Sequence, residues 1–202
     1  MAISPNDFNA TVAIGELGTQ FFYFDVTDSK FKYALPLVSG GEYGGDTETF
    51  EAPEMDDDTV AKISGRTTLS DITLTSNYTK ARYSRWLEIL HNDKPYVYTE
   101  VFRDGSAVVF NGTAGMPTLQ GGDVRQIEAT IAPQNVVWIE DIDNLASQDI
   151  VDELNAMFKA QGATANVITY TAGTTKLPFD LTSLPSNRVG EVSDEARATD
   201  GD

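Results

Sequence analysis

Residues 71–90 read DITLTSNYTKARYSRWLEIL, and the rhythm of this stretch changes halfway. Its first five residues alternate polar and apolar, the two-residue period of a strand with one buried face. Ile72 and Leu74 fall on the core side, and Asp71, Thr73 and Thr75 on the other. From Tyr83 onward the spacing is helical. Tyr83, Trp86, Leu87 and Leu90 stand at i, i+3, i+4 and i+7, which makes one apolar stripe. HNDKP closes the helix, because proline disfavours helical backbone in the residue before it. Lys80, Arg82 and Arg85 crowd the first turns, where the helix dipole disfavours cations by roughly 0.3 to 1 kcal/mol each. Two accounts of them stand open. They are solvated side chains, with Arg85 and Glu88 as an i, i+3 pair, or they meet acids carried by another subunit.

Upstream, residues 39–59, SGGEYGGDTETFEAPEMDDDT, hold two glycine pairs and the acids Glu42, Asp46, Glu48, Glu51, Glu54, Asp56, Asp57 and Asp58. With no periodic apolar face, this is a long loop or a loosely formed hairpin arm, and loops of such length in a compact domain are functional or disordered. Before it, TQFFYFDVT (19–27) and KFKYALPLV (30–38) read as a hairpin turning at TDSK and ending at Pro36. After it, VAKISGRTTLSDITLTSNY (60–78) carries strand rhythm. YVYTEVF (96–102) and SAVVFNGTA (106–114) flank RDG, a hairpin signal. MPTLQGGD (116–123) is a turn region. VRQIEATIAPQNVVWIEDI (124–142) gives one or two strands, with Ile127, Ala129 and Ile131 on one face and Gln126, Glu128 and Thr130 on the other.

Beyond Asn144 the character shifts. ASQDIVDELNAMFKAQG (146–162) places Ile150, Leu154, Met157 and Phe158 on one helical face, with Gly162 at the C-cap. NVITYTAGTTKLPF (166–179) reads as a hairpin through TAGT. SNRVGEVSDEARATDGD (186–202) is polar and acidic, the composition of a flexible tail. The expected class is mainly β: an antiparallel sandwich or barrel-like sheet with one flanking helix, followed by a C-terminal helix and hairpin. Residues 1–145 form the β domain with its arm at 39–59, residues 146–185 an extension and residues 186–202 the tail.

Composition excludes several chemistries. The 202 residues hold no cysteine, so disulfides, thiolate metal sites and a cysteine nucleophile are ruled out. The one histidine, His91, sits at the expected helix end and reads as structural. Asp141 and Asp143 resemble the start of a calcium loop, but Leu145 and Ala146 stand where that loop needs an oxygen ligand and a glycine. MDDDT (55–59) reads as a solvated acidic loop. No phosphate-binding loop or nucleophile elbow is present, and neither a cofactor nor enzymatic activity is expected. The sequons at Asn9, Asn77 and Asn111 read as chance, because the N-terminal residues carry no secretion signal. No apolar run reaches membrane-spanning length. Fourteen Lys and Arg stand against 31 Asp and Glu, a net charge of −17. Such a chain does not grip nucleic acid, although a repelling surface suits a passage that DNA slides through.

The order of elements resembles the major tail tube proteins of long-tailed bacteriophages. In that family a strand of the form G-x-x-x-x-x-D-(I/V)-T-L leads into a short helix with a Trp-Leu pair. Here Gly65, Asp71, Ile72, Thr73, Leu74, Trp86 and Leu87 match it, within a resemblance covering residues 19–142. YVYTEVF departs from the R-x-V-x-I strand that several tube proteins carry, and residues 146–202 lie outside the family core.

The resemblance implies a β-sandwich-like subunit assembled into stacked hexameric rings, with DNA leaving through the channel. It makes the arm, with Glu42, Tyr43, Asp46, Glu48, Glu51, Glu54, Asp56, Asp57 and Asp58, the contact between rings. Lys80, Arg82 and Arg85 become interface cations, and Asp71, Thr73, Thr75, Gln126, Glu128 and Thr130 face the lumen. Implied partners are further copies of the chain and the tape-measure, tail-terminator and baseplate or distal tail proteins, with no membrane. The location is the virion tail, after synthesis in the bacterial host cytoplasm. The alternatives are a tube subunit of a contractile or secretion system and a soluble β-sandwich binding module or adhesin.

Overall fold

The structure is a computed structural model that describes residues 20–52, 61–90, 94–102, 104–122 and 124–183. His91, Asn9 and the tail at 186–202 lie outside these residues. The elements are β1 (Gln20–Asp25), β2 (Lys30–Leu35), β3 (Gly45–Ala52), β4 (Ala61–Leu69), β5 (Ile72–Asn77), α1 (Lys80–Leu90), β6 (Tyr96–Val101), β7 (Ala107–Ala114), β8 (Thr118–Gln120), β9 (Gln126–Ile139), α2 (Gln148–Gln161) and β10 (Phe179–Asp180). The protein is mainly β, with the expected flanking helix. Eight strands form one mixed sheet in the order β10-β2-β1-β6-β7-β9-β5, with β8 beside β9, and the sheet does not close. One bridge, Ser39 to Thr75, ties the chain beyond β2 to the far strand β5.

Both faces of the central strands are covered, which explains their nearly unbroken apolar sequences. In β1, Phe21 packs on one side and Phe22 and Phe24 on the other; in β7, Val108 and Phe110 oppose Ala107 and Val109. Helix α1 covers the first face. Trp86, Ile89 and Leu90 are buried there against Phe21, Leu74, Tyr98 and Ile127. The stripe read from sequence is therefore rotated: Leu87 is half-buried and Ile89 takes the core position. Thr79 caps the helix, its hydroxyl accepting from the Arg82 N–H at 3.1 Å.

Helix α2 covers the opposite face. Val151, Leu154, Met157 and Phe158 are buried, with Ile150 packed at the margin, and Phe158 stacks on Phe24 at 4.2 Å between ring centroids. Ser147 caps its start, and Gly162, at φ 126°, ends it as expected. Gln161 continues the β1–β6 ladder past its last backbone pair: its amide donates to the Phe24 carbonyl at 2.8 Å and accepts from the Val97 N–H at 2.9 Å.

Several elements differ from expectation. The strand rhythm read from 60–78 resolves into two strands, Ala61–Leu69 and Ile72–Asn77, because the chain changes partner at Ser70: β4 pairs with β3 and β5 with β9. Thr118–Gln120, read as turn, pairs with β9, which runs unbroken through Pro133. The hairpin at 166–179 does not form. Asn155, buried in α2, takes the backbone groups it would use: Oδ1 accepts from Val167 and Ile168, and Nδ2 donates to the Ile168 carbonyl. Thr175 holds Thr171 in the same way, and Phe179–Asp180 pairs parallel to β2. Among the described residues no helix is long and apolar enough to cross a membrane.

Candidate assembly interface

Three features meet around β5. The first is the arm. β3 and β4 pair antiparallel from Gly45 opposite Leu69 to Ala52 opposite Ala61, and neither joins the main sheet. The arm is thus a formed hairpin, and its base is narrow: the Ser70 N–H donates to the Gly44 carbonyl at 3.1 Å. Asp46, Glu48 and Glu51 lie on β3, and Glu42 is exposed at the root. Glu54, Asp56, Asp57 and Asp58 lie outside the described residues. Tyr43 turns inward: its hydroxyl donates to Glu100, and its ring stands 5.5 Å from that of Phe110. Burial, then the nearby Glu100 charge, pushes the phenol far above its usual range, so it remains a donor.

The second feature is a polar face. Ile72, Leu74, Ile127, Ala129 and Ile131 are buried toward α1, which turns the alternate residues outward. Thr73 lies opposite Thr130 and Thr75 opposite Glu128. Asp71, Thr73 and Thr130 are exposed; Thr75, Gln126 and Glu128 are half-buried. All six residues read from sequence as one surface therefore share it. Strand β8 extends that surface, with Thr118 opposite Glu128 and Gln120 opposite Gln126, and the Gln120 amide donates to Glu128 at 2.5 Å. Sequence missed Thr118 and Gln120, because three residues between glycines and a proline look like a turn. None of these eight residues is Lys or Arg.

The third feature is the basic start of α1. Lys80 is exposed, and the Arg82 guanidinium donates to the Asn77 carbonyl at 3.2 Å. Arg85 is held within the subunit: Nη1 pairs with Glu88 at 2.9 Å, Nη2 donates to the Tyr23 hydroxyl at 3.0 Å, and the guanidinium lies 4.9 Å from the Tyr23 ring centre. The i, i+3 pair read from sequence is present. Beside it, Tyr23, Asp25, Arg85, Glu88, Tyr96 and Gln161 line a shallow groove of about 290 Å³. Among the described residues no group of three His, Cys, Asp or Glu could hold a metal ion.

The sequence matches no protein-family model, and no curated protein matches it significantly. Solved structures of similar chain course come from multi-subunit tail and injection assemblies. One is a chain in the cryo-EM structure of the anti-feeding prophage baseplate, 8% identical, covering 64% of this chain and 97% of its own, with a TM-score of 0.48. Another belongs to the sheath-tube complex of an extracellular contractile injection system, 15% identical, covering 68% and 98%, at 0.42. A third belongs to the tube-terminating cap of the anti-feeding prophage, 17% identical, covering 68% and 98%, at 0.41.

Proposed function

We propose that the chain is a structural subunit of a bacteriophage tail tube, assembling into stacked hexameric rings around a channel through which DNA passes. The β3–β4 hairpin carries this reading. A two-stranded hairpin is marginal in water by itself, and among the described residues this one pairs with no strand of the main sheet. Such an arm gains stability by lying against another copy. The order of elements that resembles tail tube proteins points the same way.

In this assembly the face bearing Asp71, Thr73, Thr75, Gln126, Glu128 and Thr130, with Thr118 and Gln120, lines the channel. A surface of short polar side chains and carboxylates, without cations, repels phosphate and lets DNA slide. Lys80 and Arg82 receive acids of a neighbouring subunit, while Arg85 keeps its own Glu88 and Tyr23. Tape-measure, terminator and distal tail proteins complete the particle.

The test is charge reversal. Lys80→Glu with Arg82→Glu leaves the fold intact and raises the concentration needed for assembly on the order of tenfold at low salt, as losing two surface pairs of up to ~1 kcal/mol each would. The defect shrinks as salt screens the contact. Sedimentation across a salt series reads both effects, and unchanged assembly removes these residues from the interface.

A further inference from the structure

Glu100 is a carboxylate in the wrong place for stability. It lies on β6, 1% exposed, on the face of the sheet that also carries Phe21, Tyr98 and Val108. Burying such a group costs several kcal/mol even after relaxation, and apolar replacements of buried ionic groups are often neutral or stabilising. Among the groups Glu100 touches is the arm's root. Its carboxylate accepts the Tyr43 hydroxyl and the Gly41 N–H, the latter at 3.2 Å.

The glycine pair has its explanation here. A Cβ at Gly40 would stand 2.1 Å from Glu100 Oε1, and one at Gly41 would stand 2.4 Å from Ile72 Cγ2. The root therefore threads between the carboxylate and β5 where no side chain fits. Glycines make such a root conformationally loose, and the arm's leverage magnifies any swivel at residues 40 and 41 into a large sweep at its tip.

We infer that Glu100 is a positioning residue for assembly: through Tyr43 and Gly41 it fixes the direction in which the 45–69 hairpin leaves the subunit. Its role is to select one arm orientation, and the fold does not depend on it. The inference rests on the tube reading for its consequence, since the orientation matters when the arm must find a neighbour. The latch itself is a property of the single subunit, so it can be tested separately.

Three substitutions test it: Glu100→Leu removes the acceptor, Glu100→Gln keeps one carbonyl acceptor of similar shape, and Tyr43→Phe removes one donor. A spin label on Thr49→Cys reports the arm, and the chain offers no other thiol. In Glu100→Leu the melting midpoint holds or rises, the Gly41 amide exchanges at least tenfold faster, and the label gains mobility. The concentration for assembly rises on the order of tenfold, the worth of about one hydrogen bond. Tyr43→Phe moves the exchange, label and assembly readouts in the same direction but lowers the melting midpoint, because the buried carboxylate stays while one of its donors is lost, and Glu100→Gln restores the first three in part.

Faster exchange and a freer label in a folded monomer support the latch even where the unaltered chain never polymerises, an outcome that defeats the tube reading alone. Unchanged exchange and label mobility in both Glu100→Leu and Tyr43→Phe overturn the latch. Where Glu100→Leu does not fold, Glu100 serves the core, the inference is overturned, and Tyr43→Phe shows whether the phenol holds the root.

Discussion

Replacing residues 45–69 by a Gly-Gly link is expected to leave the subunit folded, with its melting nearly unchanged, and to abolish its assembly. The geometry permits the excision, because Gly44 and Ser70 are already joined by a 3.1 Å backbone hydrogen bond at the base of the hairpin. Among the described residues the two strands pair only with each other, so their removal breaks none of the strand pairings of the main sheet. Tyr43 stays, and with it the contact to Glu100. Thermal unfolding and sedimentation of the same sample separate the two effects. An unfolded product would make the arm part of the core, and a shortened chain that still polymerises would remove the arm from assembly.

The largest effect on stability is expected at Trp86. Its indole is fully buried, its Nε1 donates to the Ser76 hydroxyl at 2.7 Å, and its ring lies 5.8 Å from Phe21. Truncating a buried Trp to Ala costs about 3–5 kcal/mol through lost burial and the cavity left behind. The orphaned Ser76 hydroxyl, itself 0% exposed, adds the penalty of an unpaired buried group. Against a typical total of about 5–15 kcal/mol, Trp86→Ala lowers the melting midpoint on the order of 10 °C. Trp86→Phe keeps most of the packing, and its loss of about 1–2 kcal/mol isolates the hydrogen bond. A loss below about 1 kcal/mol in Trp86→Ala would mean that α1 does not anchor on β5 as described.

That contact explains why the stretch at 71–90 was so legible. Its strand half has one wet face, so alternation marks Ile72 and Leu74 unambiguously, and its helix half follows at once and packs back on Ser76. Double-sided burial left its mark in the runs FFYF in β1 and AVVF in β7, a signal that was read only as strand. What stayed hidden depends on partners, which local periodicity does not encode. Nothing in 60–78 reveals that pairing passes from β3 to β9 at Ser70. β8 is three residues long and β10 two, too short for a pattern. The irregular course of 166–178 is set by Asn155 and Thr175, polar side chains that look ordinary until they are seen buried. Choosing Ile89 over Leu87 is a matter of rotation by part of a turn, which several apolar neighbours in sequence leave ambiguous.

The candidate site divides along the same line. Cross-strand register gathers the polar residues of β5 and β9 onto one face, because period-two spacing carries over from each strand to its neighbour. The basic trio does not stay together, since Arg85 finds Glu88 and Tyr23 inside the subunit. Glu100 gave one faint signal, the one charged residue inside the largely apolar and aromatic YVYTEVF, and its partners at Gly41 and Tyr43 are more than fifty residues away.

Electron microscopy of the purified, unaltered chain in negative stain tests the tube assignment most directly. The account predicts rings, or stacked tubes on the order of 100 Å wide, from closed packing of domain-sized subunits around a channel. A chain that stays strictly monomeric at high concentration contradicts it.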